Sequence, residues 1–513
     1  MERPPATAGT SPQVASYLNR LERALAELDH SLFLAWWNQY AGVSSAGTHR
    51  WDALRSRLVG REDLLRFLRG AQAHPHPPLL ARRLELFRRI AEDALIEQHP
   101  SVVRLRAPLI KRVFAFRPEW EGHPATEAHV REVLRFEGDR RVRRKAYLAL
   151  QRLAQDVGRD LRRLVEARNA RARELGYRSF MDFRLQSEGL RLPQLEGFLS
   201  RIVPAARATA RRFREQFERR SGESGFFPWD SWRAAEGRNP LPASAFPGRT
   251  MVPDCLRTIR GWGFRGPRRP FRIVQRSIPI GGMTLAVELP NDTRVAVNPK
   301  GGWLHYGILL HEFGHAVQDR YTRGSTHVLR GPENVPGFAG FHEGIGGLFE
   351  RIVSLDAWLR DRPGVTADLV RRFRENMKDE ELRIGAYTAS WVWKEIQLYK
   401  HPGENLAPRF HRADRATFGF DQYPEAPYAD PFWIEAAFYA KNYLIASILG
   451  AQFRQAIREQ VPGPFWPNQE VIPWLARNWF RHGVRYDWVP RVEQVTGRPF
   501  GVADFLDRTR REE

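Results

Sequence analysis

The chain has 513 residues, 42% of them apolar, a single cysteine and a formal net charge of +22. That apolar share describes a folded chain, and the lone Cys255 excludes an internal disulfide or a thiolate metal cluster. No apolar run approaches the roughly 20 residues of a membrane span, and the start MERPPATAGTSPQVASYL lacks the apolar segment of a secretory signal. A cytoplasmic protein without membrane contact is expected. The positive charge is almost all arginine, spread through RRLELFRRI and RDLRRLVEARNARAREL among Glu and Asp. This reads as solvated helix faces with i,i+4 pairs. No nucleic-acid-binding motif accompanies the charge, which argues against such a partner.

From about Gln13 to Arg220 apolar residues recur at three and four, predicting a succession of amphipathic helices. AHPHPPLL interrupts them as a loop. Composition shifts near Ser221 to a Gly-, Pro- and Trp-rich stretch, which divides the chain into an N-terminal helical region (1–220) and a second region (221–513). The two are expected to form one continuous body. After a short helix near Cys255 come the clear strand candidates RIVQRSI, MTLAVELP and TRVAVNP. GG and ND suit the turns between them, and a small antiparallel sheet is expected. Helices dominate again from Trp303. The run DPFWIEAAFYAKNYLIASILGAQF reads as one long helix, capped by Asp430 with Pro431 in its first turn. Its Tyr439 and Tyr443 share a face, and periodicity alone makes them core aromatics.

The sheet leads into YGILLHEFGHAVQDRY. On a helix, His311 and His315 lie one turn apart and aim at one point, the spacing that holds a zinc ion. Glu312 projects about 100° away, beside such an ion, where a general base for a bound water belongs. The surrounding Leu309, Leu310, Phe313, Ala316 and Val317 make the helix interior. Buried imidazoles and a carboxylate are costly without a partner, and a divalent cation supplies one. Gly314 weakens the helix by about 1 kcal/mol relative to alanine, which a close neighbouring element would justify.

A catalytic zinc needs a third protein ligand. The segment VPGFAGFHEGIGGLFERIVSL becomes helical near Phe341 and offers Glu343 at the helix start, next to His342. A lone glutamate there is ordinarily a dipole-friendly residue. Following HExxH at this distance, among glycines that permit close packing, it reads as the third ligand.

LLHEFGHAVQ, then GFHEGIGGLFE, then a late tyrosine-bearing helix ending in QF resembles the gluzincin peptidases. The nearest groups are the angiotensin-converting-enzyme-like peptidyl-dipeptidases and the thimet oligopeptidase/oligoendopeptidase F family. The resemblance is specific over about Thr284–Phe453. It implies a mostly α fold, with two helical lobes around a deep substrate cleft, a lid formed by N-terminal helices, and the small sheet beside the zinc helix. It also implies oligopeptide substrates, Zn2+ held by His311, His315 and Glu343, Glu312 as base, and Tyr443 as the transition-state tyrosine. Tyr439 and His342 are further candidates for substrate or transition-state contact. The family's acidic residue that orients a zinc histidine falls on Gly347, so Glu350 or Asp319 is expected in that role. The lysine and tyrosine that hold a substrate carboxylate fall on Pro431 and Ala440, with Lys441 and Tyr439 one residue away. The Taq-type carboxypeptidases share the architecture and chain length, but their motif HESQS differs from HEGIG. A peptide-binding protein without catalysis is the alternative on the same fold.

Overall fold

The computed structural model describes residues 4, 10–41, 47–267, 269–278, 281–332, 335–421, 430 and 432–508. The fold is mostly helical. The first helices are α1 (Ser11–Tyr40), α2 (Thr48–Val59), α3 (Glu62–Gln72), α4 (Pro78–Glu97) and α5 (Pro100–Ala115). A two-stranded ribbon, β1 (Glu119–Trp120) and β2 (His123–Pro124), precedes α6 (Glu127–Phe136), α7 (Arg140–Glu174), α8 (Phe180–Ser187) and α9 (Leu192–Ser221). The glycine- and proline-rich stretch holds α10 (Ser231–Glu236) and three single 3-10 turns (Pro228–Asp230, Ala243–Ala245 and Gly248–Thr250) before α11 (Met251–Gly261), and then come β3 (Arg272–Gln275), β4 (Gly282–Glu288) and β5 (Asp292–Val297). After the sheet come α12 (Trp303–Tyr321), α13 (His327–Arg330), α14 (Ala339–Glu350), α15 (Asp356–Arg360), α16 (Ala367–Met377), α17 (Glu380–Lys400) and α18 (Ala407–Phe418). The last helices are α19 (Phe432–Glu435), α20 (Ala440–Gln460), α21 (Val471–Asn478), α22 (Trp488–Thr496) and α23 (Ala503–Arg508). No described helix is long and apolar enough to cross a membrane.

Local sequence accounts for many boundaries. Asp139 accepts the Arg141 N–H to cap α7, whose last turn carries Arg171 and Arg173 against the negative end of the helix dipole. Thr126, Ser179 and Thr366 cap α6, α8 and α16 in the same way.

The three-stranded sheet is mixed, not wholly antiparallel. Its order is β3-β5-β4, with β5 antiparallel to β4 and parallel to β3. The short connection after β3 reverses the chain without pairing β3 to β4, and β5 then enters between them. Alternation along β5 sorts its side chains to two faces. Val295 and Val297 join the main core with Phe313 of α12, while Ala296 packs with Phe33 and Trp37 of α1 and with Leu285 and Val287 of β4. The sheet is thus layered between α1 and α12.

The largest apolar core draws residues from Ile96 through Leu506 and is crossed by α12, α14, α17 and α20. A smaller core gathers α1–α4 around Val328, Leu329, Val335 and Val484.

The late helix is broken. α19 ends at Glu435, and α20 begins only at Ala440, after Phe438 with φ +56°. Asp430 caps the first piece through the Phe432 N–H at 2.9 Å; Pro431 lies outside the described residues. Two tertiary contacts fix the break. Arg168 donates to the Trp433 and Ile434 carbonyls at 3.3 and 3.2 Å. Buried Glu395 accepts the Phe438 N–H at 2.6 Å. Orphaned backbone groups at both sides of the break therefore have partners.

Candidate metal centre

On α12, His311 and His315 face the same point, their Nε2 atoms 3.1 Å apart. Elsewhere on the helix Tyr306, Leu309, Leu310, Phe313, Ala316 and Val317 are fully buried, while Leu304 near its start is exposed. Strand β4 fixes the middle turn, because the Thr284 hydroxyl donates to the Glu312 carbonyl oxygen at 2.8 Å.

The third group arrives on α14. This helix lies so near α12 that a Cβ built on Gly314 would stand 2.9 Å from the Ile345 carbonyl oxygen. A Cβ on Gly346 would stand 2.6 Å from His311 Nε2. Two glycines, one on each helix, thus allow the approach that places Glu343 Oε2 3.3 Å from His311 Nε2. The Glu343 side chain is 12% exposed. One donor atom from each of His311, His315 and Glu343 falls within 4.8 Å of the others.

The second row of contacts differs from residue to residue. Glu350 Oε2 lies 3.3 Å from His311 Nδ1, on the far side of that ring. Asp319 faces His342 at 3.6 Å and accepts a long bond from Thr293, not from His311 or His315. His342 stacks on His315, with ring centroids 4.1 Å apart. Tyr439, at the break before α20, donates to Glu343 Oε1 at 2.7 Å. Tyr443 follows one turn later, 37% exposed, with its ring 5.6 Å from that of Tyr439.

Electrostatics separate these groups. Burial pushes the Glu312 carboxyl up to about 7, with His311 pulling the other way. Burial also disfavours charge on His311, yet Glu343 and Glu350 outweigh it and hold that ring well above the ordinary histidine value. His315 is pressed well below it, by burial first and then by His342 and His311. Glu343 is lowered despite burial by His311 and by the Tyr439 hydroxyl. Tyr443 is raised by burial and by the Glu343 and Glu312 carboxylates.

The residues fit a divalent ion. Ligands about 2.0–2.2 Å from one tetrahedral zinc stand roughly 3.2–3.5 Å apart. Two of the three pairs here are separated by 3.1 and 3.3 Å, and the third, His315 with Glu343, lies within 4.8 Å. Two imidazoles and one carboxylate are also the donor set of a zinc site with a position left open for water.

Sequence reasoning set Lys441 beside a substrate-carboxylate position and missed its buried partners beneath the break. Lys441 is 2% exposed and bound to Glu188 at 2.5 Å and to Asn442 Oδ1 at 2.8 Å, so it is occupied inside the fold and does not offer itself to a substrate carboxylate. Glu395 and Arg168 come from α17 and α7, far away in sequence. The local sign is the pair Lys441 and Asn442 ahead of the apolar run LIASILGA.

No protein-family model matches the sequence, and neither does any curated protein. Solved structures do match the fold. Metallocarboxypeptidase 1 of Trypanosoma cruzi superposes with a TM-score of 0.67 at 14% identity, over 97% of this chain and 100% of that one. The M32 carboxypeptidase of Deinococcus radiodurans R1 superposes with a TM-score of 0.64 at 16% identity, over 97% and 98%. At such identities the likeness shows a shared fold along nearly the whole chain.

Proposed function

We propose that this chain is a zinc metallopeptidase hydrolysing peptides, with His311, His315 and Glu343 holding the ion and Glu312 as general base. The observation behind this reading is the convergence of those three donor groups within 4.8 Å, with Glu312 on the same turn of α12. Zinc bound there supplies Lewis acidity and lowers the pKa of a water toward neutrality. Glu312 is 8% exposed, and burial raises its carboxyl, which favours its taking up and passing on a proton. It accepts the proton of the attacking water and returns it to the departing amine. Tyr443 is the free-standing donor for charge developing on the carbonyl oxygen, while Tyr439 keeps Glu343 oriented. Strand β4 has no strand neighbour on its outer side among the described residues, and its Thr284 is bonded to the Glu312 turn. A peptide extended along β4 would gain main-chain hydrogen bonds whatever its side chains.

The fold likeness to two carboxypeptidases favours release of C-terminal residues. The motif resemblance supports a second reading, cleavage as a peptidyl-dipeptidase or oligoendopeptidase. Mass spectrometry of products from a mixed peptide library, with and without a chelator, separates single residues, dipeptides and internal fragments. Glu312→Gln is expected to retain about one zinc per chain and to lose roughly 10²–10⁴-fold in turnover. Unchanged hydrolysis in that variant removes Glu312 from the mechanism, and peptide binding without any product in the wild type supports the non-catalytic alternative.

A further inference from the structure

Beside Glu343 stands a group of four aromatic rings, two of which, Trp391 and Phe432, have no part in the proposed peptidase chemistry. Trp391 of α17 and Phe432 of α19 have centroids 5.0 Å apart. Tyr443 lies nearly parallel to Trp391 at 6.4 Å and is 6.3 Å from Phe432. Tyr439 completes the group, 6.2 Å from Phe432, and its hydroxyl is the one bonded to Glu343. None of the four is fully buried, in contrast to the neighbouring Trp433, Phe438 and Leu444, which are. The open face continues along α17, where Thr388 is half-buried and Ile384 is exposed, at the helical spacing that places them in line with Trp391.

Aromatic surface left open next to a charged centre is unfavourable unless something covers it. The groups around it decide what. A charged side chain would forfeit hydration against these ring faces, whereas an apolar one covers them at no such cost.

We infer that Trp391, Phe432 and Tyr443 form the wall of a subsite for an apolar side chain of the peptide, preferably aromatic, within one residue of the bond to be cut. The inference rests on the proposed peptidase reading, since Tyr439 ties the wall to Glu343. Trp391 and Phe432 are specificity residues and have no part in the bond-breaking steps.

The test moves one phenylalanine through each position of an alanine hexapeptide. The zinc-loaded wild type is expected to cleave best with phenylalanine at one position, by about tenfold or more in kcat/KM over the all-alanine peptide. In Trp391→Ala that advantage should shrink toward unity, while kcat/KM for the all-alanine peptide stays within a few-fold. Fluorescence anisotropy of the same labelled peptides on Glu312→Gln gives a reading independent of turnover, and the preferred position should bind more tightly there than in the Glu312→Gln/Trp391→Ala double variant. A flat profile, a preference for charged residues, or an aromatic preference untouched by Trp391→Ala overturns the subsite. Should the wild type cleave none of the peptides, the peptidase reading fails, and the anisotropy profile alone then decides the subsite, being overturned by equal binding at all positions.

Discussion

Gly346 has no room for a side chain. A methyl group there would meet the His311 ring, at 2.6 Å from Nε2. Gly346→Ala should therefore keep its helix content by circular dichroism and lose at least about tenfold in zinc affinity, because the ring that must move is a proposed ligand. Gly314 does the same for the backbone of α14. This part of the site was legible in the sequence, since HExxH on an apolar helix brings two imidazoles to one point and a glycine in that helix announces a close neighbour. Glu343 was legible for a similar reason. The partner of His311 was only narrowed to two carboxylates, and the choice depends on the crossing of α12 and α14. The structure puts Glu350 against His311 and Asp319 against His342. Glu350→Gln should loosen zinc by about 10- to 100-fold, measured by competition with a chromophoric chelator, and Asp319→Asn should loosen it less.

At the scale of the helix, α20 illustrates what periodicity misses. DPFWIEAAFYAKNYLIASILGAQF contains no glycine or proline between Phe432 and Leu449, and nothing local predicts a stop. The stop is imposed by Arg168 and Glu395, more than 250 and about 40 residues upstream. Its result is to set Tyr439 against Glu343. Glu395→Ala leaves the Phe438 N–H buried without its acceptor, which costs about 1–3 kcal/mol. A lower thermal midpoint is expected, and an unchanged one would show that the break does not depend on this bond. The mixed sheet was hidden for a comparable reason. Strand character is local, whereas the order β3-β5-β4 follows from how a short connection places two strands that never pair.

Across the whole molecule, the composition shift near Ser221 does not coincide with a change of core, because one apolar cluster runs from Ile96 to Leu506. The N-terminal helices are joined to it by a buried ion pair. Glu97 of α4 holds Arg168 of α7 with oxygens at 2.9 and 3.1 Å, and Arg168 in turn reaches the carbonyls of α19. Burial would raise the Glu97 carboxyl, but Arg168 and Arg106 outweigh it and lower it from an ordinary 4.5 to about 2. A carboxyl lowered on folding contributes stability that is fully present above 4.5 and is lost as the pH falls toward 2; linkage puts the contribution at about 3 kcal/mol. Denaturant midpoints should thus fall more steeply between pH 4.5 and 2 in the wild type than in Glu97→Gln. At neutral pH the variant should be the less stable protein, since it leaves Arg168 buried beside a neutral amide.

The interruption ahead of α20 also bears on how such a chain tolerates change in length. In an unbroken helix, one residue inserted upstream would rotate every later side chain by about 100° and shift it by 1.5 Å. Here the turn phase is reset at Phe438 by bonds from other parts of the fold. One residue inserted ahead of α19 is thus expected to leave the angular setting of the two tyrosines unchanged.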